Sequence, residues 1–293
     1  MAMNFNYLVL DQNIENIAQW LKLLLIKTKQ LRMVVDCQHS VHAVINPDFE
    51  NDIHNLEFLI IDSGSNYKNA IQVSSKTECG EKILPKLQQM YLRCENGMES
   101  LIATSSKLSA GSFQGLVKIH IYVCKYMKYL FTWSVAECLV QLEELEISYC
   151  LELKHVIGND SNNTLVCCKS KDEEIMFPKL KFLYLDSLLA FECMCAPEEC
   201  SDNMKVQWAS MENITVLDCP NWKPRLIFGQ QSVPALQEFY CEKEWLEQLN
   251  WEDEDTKKRI QSVHLEISKI KALMKLELIY PCFKRLIDSL MTP

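Results

Sequence analysis

LVKIHIYVCKYMKYLFTWSVAECLVQLEELEISYC (Leu116–Cys150) holds the pattern that decides how this chain folds. Twice within it, at Leu116 and at Leu142, an apolar residue is followed by two variable residues, an apolar residue, one variable residue and another apolar residue. The end of each copy alternates with period two, as a short strand does when one of its faces is buried. Leu145 and Ile147 point one way; Glu144, Glu146 and Ser148 point the other. Working outward, the spacing recurs as LEFLII at Leu56, LQQMYL at Leu87, LKFLYL at Leu180, MENITV at Met211 and LQEFYC at Leu236, with a weaker copy, TKQLRM, at Thr28. Successive starts lie 28, 31, 29, 26, 38, 31 and 25 residues apart. A unit this short buries its apolar edge only against a neighbour, so the copies stack into a parallel sheet with one strand each.

The spacing is that of leucine-rich repeats. It predicts an α/β chain, a leucine-rich-repeat solenoid: a curved arc with the parallel sheet on its concave face and short helices and loops outside. Met127 to Cys138 is one stretch expected to be helix or irregular loop. Cys124, Cys150 and Cys219 fall eight residues after their repeat starts, where a small buried residue turns the chain out of the strand. Pro85, Pro178 and Pro234 precede repeats and favour an extended entry into the strand. The 38-residue interval from Leu142 contains GNDSNNT and KSKDEE, read as an exposed loop. Ile14, Ile17, Leu21 and Leu24 recur at helical spacing after Asp11, and Ile260, Val263, Ile267, Ile270, Met274 and Leu278 do so before Pro281. The organisation expected is a helical lead-in at 1–27, an array of about eight repeats at 28–255, and a capping helix or extension at 256–293. A ninth repeat at LMKLEL, from Leu273, competes with that last helix.

Composition narrows the function. Of the 293 residues, 48% are hydrophobic and 24% charged, enough apolar surface for a folded core. The net charge of −9 gives little support to a grip on phosphate backbones, so nucleic acid is not the expected partner. The last 38 residues run the other way at net +5, read as a solvated helix face. No basic, apolar leader opens the chain, and no apolar run approaches the roughly 18 residues that span a bilayer. A cytoplasmic or nuclear location is therefore expected, with the 14 cysteines reduced. Cys193 and Cys195 with Cys200, and Cys37 with His39 and His42, lack the paired spacing of a zinc site. Scattered histidines and the absence of a nucleophile motif point away from an enzyme, and neither a metal nor a cofactor is expected.

The outward positions of the strands line up in three rows. The central row runs Arg32, Ile60, Tyr91, His120, Glu146, Tyr184, Thr215, Tyr240. One flanking row contains Phe58, Gln89, Lys118, Glu144, Phe182, Asn213 and Glu238; the other contains Asp62, Arg93, Tyr122, Ser148, Asp186, Leu217 and Glu242. Exposed aromatics on a rigid sheet make good anchors. The candidate binding surface is Arg32, Phe58, Tyr91, Lys118, His120, Tyr122, Glu144, Glu146, Phe182, Tyr184 and Tyr240, with Lys118–Glu144 and Arg93–Asp62 expected as cross-strand ion pairs.

Ser112–Gly158, in which a strand ending in Cys is followed by a K-x-L-F segment and a second strand ending in Cys, resembles the leucine-rich-repeat regions of plant intracellular immune receptors of the coiled-coil, nucleotide-binding type. Phe177–Cys195 and Leu24–Val35 are similar to neighbouring repeats of such receptors, and the likeness covers about residues 20–261. The resemblance implies a protein-recognition module that binds a pathogen effector or a host protein, or restrains other receptor domains. No G-x-x-x-x-G-K-[ST] phosphate loop occurs among the seven glycines, so no nucleotide is expected on this chain. The chain is thus expected to be a receptor's C-terminal portion. Two alternatives stay open: a leucine-rich-repeat substrate adaptor of a ubiquitin ligase, and a truncated fragment without independent activity.

Overall fold

The computed structural model describes residues 7–10, 24–35, 41–45, 53–64, 67–73, 82–104, 108–109, 111–158, 177–196, 208–222, 227–229 and 232–266. In chain order the strands are β1 (Tyr7–Leu10), β2 (Gln30–Val35), β3 (Val41–Ile45), β4 (Phe58–Ser63), β5 (Tyr67–Val73), β6 (Gln89–Cys94), β7 (Ser100–Thr104), β8 (Lys118–Tyr122), β9 (Tyr129–Phe131), β10 (Glu144–Ser148), β11 (His155–Ile157), β12 (Phe182–Asp186), β13 (Cys193–Cys195), β14 (Asn213–Leu217), β15 (Ile227–Phe228), β16 (Glu238–Cys241), β17 (Asn250–Trp251) and β18 (His264–Glu266). Ten of them form one long sheet in the order β1-β2-β4-β6-β8-β10-β12-β14-β16-β18. Each neighbouring pair in it is parallel.

Each of the eight copies read from the sequence enters its strand by the same turn. Its first residue donates its backbone N–H to the carbonyl three residues earlier: Thr28 to Leu25, Leu56 to Ile53, Leu87 to Leu84, Leu116 to Phe113, Leu142 to Leu139, Leu180 to Phe177, Met211 to Trp208 and Leu236 to Val233, at 2.9–3.2 Å. The next carbonyl then accepts from two successive N–H groups of the following copy, as Val117 does from Glu143 and Glu144. The turn aims each strand; the shared carbonyl sets its register.

The inward positions make the core. Leu31, Leu59, Met90, Ile119, Leu145, Leu183, Ile214 and Phe239 form one buried column, and Met33, Ile61, Leu92, Ile121, Ile147, Leu185, Val216 and Cys241 a second. Cys124, Cys150 and Cys219 are buried where the sequence put them, each with its thiol within reach of the carbonyl two residues before it. Burial pushes the Cys219 and Cys241 thiols up to about 12 and the Cys124 thiol well above its ordinary range.

The return side differs from the expectation of helices and loops. It carries three short parallel sheets, β3-β5-β7, β9-β11-β13 and β15-β17. Asn69, Ser100, Tyr129, His155 and Cys193 each lie thirteen residues after a repeat start, and the pairs Asn69–Ser100, Tyr129–His155 and His155–Cys193 are in register. A return segment that keeps one length from copy to copy brings its backbone N–H and C=O groups opposite those of its neighbours, and buried backbone groups pair. Gly158 lets this second ladder close, because a Cβ there would meet the Tyr129 side chain at 2.6 Å. Trp133–Ala136 is a single helical turn after β9, so Met127–Cys138 is part strand and part helix.

The long sheet also runs further than the predicted array. β1 lies within the expected helical lead-in and pairs with β2 as a further rung. At the other end the helix Glu254–Ser262, capped by Asp253 accepting from the Thr256 N–H at 2.6 Å, does not close the array. It leads into β18, which pairs with β16. There the alternation inverts: His264 stands opposite the inward Phe239, and Leu265 faces outward, which is why the strand escaped a hydrophobic pattern. Ile14, Ile17 and Leu21, the insertion at 159–176, Ile267, Ile270, Met274 and Leu278, and the alternative repeat at Leu273 lie outside the described residues.

The corners are turned by residues that are not glycine. Val123, Tyr149, Ser187 and Asp218, each seven residues after a repeat start, have φ between 48° and 58°; Leu84, Phe113 and Phe177, three before a start, have φ between 40° and 51°. At Val123 a β-branched side chain occupies this region at a cost of about 1–2 kcal/mol. Its N–H still donates to Ser148 O at 3.0 Å, so the corner is held by the next rung. Val123→Asn should therefore leave urea stability unchanged or raise it by up to about 1 kcal/mol, whereas Leu145→Ala should lower it by about 2–5 kcal/mol. A thiol reagent at pH 8 should label Cys219 and Cys241 only after unfolding.

Candidate functional site

The rows read from the sequence are in register across the outward face of the long sheet. Arg32, Ile60, Tyr91, His120, Glu146, Tyr184, Thr215 and Tyr240 are successive partners from β2 to β16, with Leu265 following on β18. Phe58, Gln89, Lys118, Glu144, Phe182, Asn213 and Glu238 are likewise successive partners, as are Asp62, Arg93, Tyr122, Ser148, Asp186 and Leu217. Eleven candidate residues from seven well-separated parts of the chain thus share one face.

The two halves of that face differ. Toward the N-terminal end, Phe58 and Tyr91 are 9% and 7% exposed and, with Ile60, make a small apolar cluster of their own. The Phe58 and Tyr91 rings lie 5.2 Å apart, and Tyr91 meets the His120 ring edge-on at 4.7 Å. Phe58 and Tyr91 are therefore not the exposed anchors the sequence suggested: rungs about 4.8 Å apart let large side chains on adjacent strands cover one another. Asp62 sits between Arg32 and Arg93, at 3.7 and 3.5 Å.

At the middle, His120 lies between two carboxylates. Its Nε2 is 2.8 Å from Glu144 Oε1 and its Nδ1 is 3.3 Å from Glu146 Oε2, while Lys118 Nζ reaches the other Glu144 oxygen at 2.6 Å. The His120 hydrogen bond and Lys118 pull the Glu144 carboxyl down to about 2 against its partial burial. Burial moves Glu146 the other way, and the charges of Glu144 and Asp186 add to that rise while His120 opposes it. His120, Glu144 and Glu146 each offer a metal-ligating atom within 4.8 Å of the others. In this geometry both ring nitrogens already face carboxylates and Lys118 compensates Glu144, so the three side chains are already engaged with one another. Lys118–Glu144 and Arg93–Asp62 are the two pairs expected from the sequence.

Toward the C-terminal end the face is open. Phe182 is 43% exposed, Glu238 is exposed, and Tyr184 and Tyr240 are half-buried. Burial and the charges of Asp186 and Glu146 push the Tyr184 phenol well up. Tyr122, pushed up to about 12, packs edge-on against Tyr149 with ring centroids 5.5 Å apart. Tyr149 and Asp218 sit at the left-handed corners and were missed by a reading confined to strand positions. Their common place seven residues after a repeat start was the available signal. On the return side, Cys193 Sγ lies 3.2 Å from His155 Nδ1, a neighbour supplied by the second ladder and not by sequence proximity. Cys37, His39, Cys167, Cys168 and Cys200 lie outside the described residues.

Residues 11–151 match the family model described as plant disease resistance protein RPS2-like, leucine-rich repeats. Over that span, just under half of the chain, it is similar to this family. The same rungs continue in register to β18, so the leucine-rich-repeat solenoid runs well past the matched segment. Among the described residues no helix is long and apolar enough to cross a membrane.

The acid response of this solenoid follows from Glu144. Its depressed folded value means that the stability it contributes is present above its ordinary value of 4.5 and is lost as pH falls toward about 2. Glu144→Gln should be less stable than the parent by about 1–2 kcal/mol at pH 6, and the gap should close between pH 4.5 and 2 in urea titrations.

Proposed function

We propose that this chain is the protein-recognition module of a plant intracellular immune receptor. The outward face of the long sheet contacts a pathogen-derived or host protein, or packs against the receptor's other domains to restrain them. The observation that carries this reading is the in-register face itself: aromatic and charged side chains held by a rigid ladder, on repeats of a disease-resistance family. A sheet of this kind pre-organises its side chains, so a partner orders few groups on binding. Exposed aromatics there supply contact area at low entropy cost.

The chemistry of the face also supports binding over catalysis. His120 is engaged on both nitrogens, and the thiols of the repeat corners are buried and hard to ionise. The reading places the module inside the cell, where these thiols stay reduced.

Tagged chain expressed in leaf tissue, with and without Phe182→Ala and Tyr240→Ala, tests this by quantitative capture. Partners that the parent retains should fall at least about ten-fold with the double variant, which removes two face anchors worth about 1 kcal/mol or more each. Capture at the parent level, with the circular dichroism melt unchanged, would exclude the face.

A further inference from the structure

We propose that His120 and Glu146 hold one proton between strands β8 and β10 and form a pH-operated latch on the outward face. With the proton in place the Glu146 carboxyl is fastened to the imidazole; its loss releases that side chain. The latch is a property of the ladder and goes beyond the reading of this face as a recognition surface. Only its bearing on a partner rests on that reading.

A neutral imidazole carries one N–H and one lone pair. His120 turns both ring nitrogens to carboxyl groups, Nε2 at 2.8 Å from Glu144 Oε1 and Nδ1 at 3.3 Å from Glu146 Oε2. Ionised carboxylates accept and do not donate, so the two contacts need either two ring N–H groups or a proton on Glu146 that points to Nδ1. Both arrangements contain the same extra proton, placed between Nδ1 and Oε2. Its loss leaves lone pairs facing each other across that contact. The remaining N–H stays with Glu144, whose contact is the shorter and whose other oxygen is held by Lys118 at 2.6 Å. Glu146 is then the group that moves.

The neighbours hold this geometry. Tyr91 packs edge-on against the His120 ring, with centroids 4.7 Å apart, and fixes its plane. The titratable and charged groups around the pair are Lys118 and Tyr122 on β8, Tyr91 and Arg93 on β6, Glu144 on β10, and Tyr184 and Asp186 on β12. Arg93 is engaged with Asp62 and Glu95. Burial raises the Glu146 carboxyl, and the charges of Glu144 and Asp186 add to that rise against the pull of His120. With the proton, Lys118 and the pair together balance the Glu144 and Glu146 carboxylates; without it, these four side chains carry one net negative charge. Rising pH therefore frees a carboxylate at the middle of the face and makes that point negative, and falling pH closes it.

Nuclear magnetic resonance of the whole chain, labelled at His and Glu and titrated over the pH range in which it stays folded, tests the latch. Ring nitrogen-15 shifts read each protonation, with His120→Gln and Glu146→Gln assigning the signals. As pH rises Nδ1 should lose its proton while Nε2 keeps its own. At that same pH the Glu146 side chain should pass from ordered to mobile by carbon-13 relaxation. Glu146→Gln offers an amide N–H to the bare Nδ1 and removes a charge, so the Nδ1 loss should move to a pH lower by about 0.5 or more. Glu247→Gln, the same charge change at an exposed site after β16, should move it by less than about 0.2. Equal movement by the two variants would overturn the proposal, as would a first loss at Nε2. If Glu146→Gln fails to fold, the parent decides alone: Glu146 order that is unchanged across the Nδ1 transition overturns the latch.

Discussion

Everything in this molecule depends on one carbonyl per repeat that accepts two successive N–H groups from the next repeat. A strand of five residues has too little surface to hold itself, and its apolar edge stays wet unless a neighbour covers it. The shared carbonyl fixes where that neighbour lands. Because side chains alternate with period two, a slip of one residue would turn Leu145 and Ile147 outward and Glu144 and Glu146 into the core. Burial of the inward columns and pairing of the backbone thus demand the same register, and the outward rows inherit it.

The inner columns were legible because they obey one alternation, repeated with little change from Leu31 to Phe239. The outer ladder was not, since YLF, HVI and CMC are three-residue strands with no period of their own; only their constant offset from the repeat start marks them. The corners were invisible for another reason. A reading that looks for glycine at positive φ finds nothing at Val123, Tyr149, Ser187 or Asp218, where the backbone N–H donates across the rungs, to a carbonyl at the first three and to the Glu242 carboxylate at Asp218. β18 was lost because its apolar Leu265 faces outward while His264 stands opposite the inward Phe239, so the strand offers no inward apolar stripe to find.

For the face, the sequence supplied the membership of each row but not its exposure. Phe58, Ile60 and Tyr91 looked like three separate outward residues and instead cover each other, which leaves Phe182, Tyr184 and Tyr240 as the more exposed aromatics of the rows. Exposure depends on the size of the side chains on both neighbouring rungs, a property of pairs that no single strand shows. The same logic makes His120 a bridge: it falls in register with Glu146 and diagonal to Glu144, twenty-odd residues away in the chain. The solenoid converts a repeat spacing into side-chain neighbours, and its charge distribution is as much a product of the register as its core.

A distance measured across the rungs tests that register most directly. Spin labels on unnatural side chains at Gln89 and Glu238, which leave the native cysteines in place, stand five rungs apart in one row. Pulsed electron resonance should give a single narrow distribution near about 20–25 Å, five spacings of about 4.8 Å. A broad distribution, or one centred beyond about 35 Å, would contradict the common ladder.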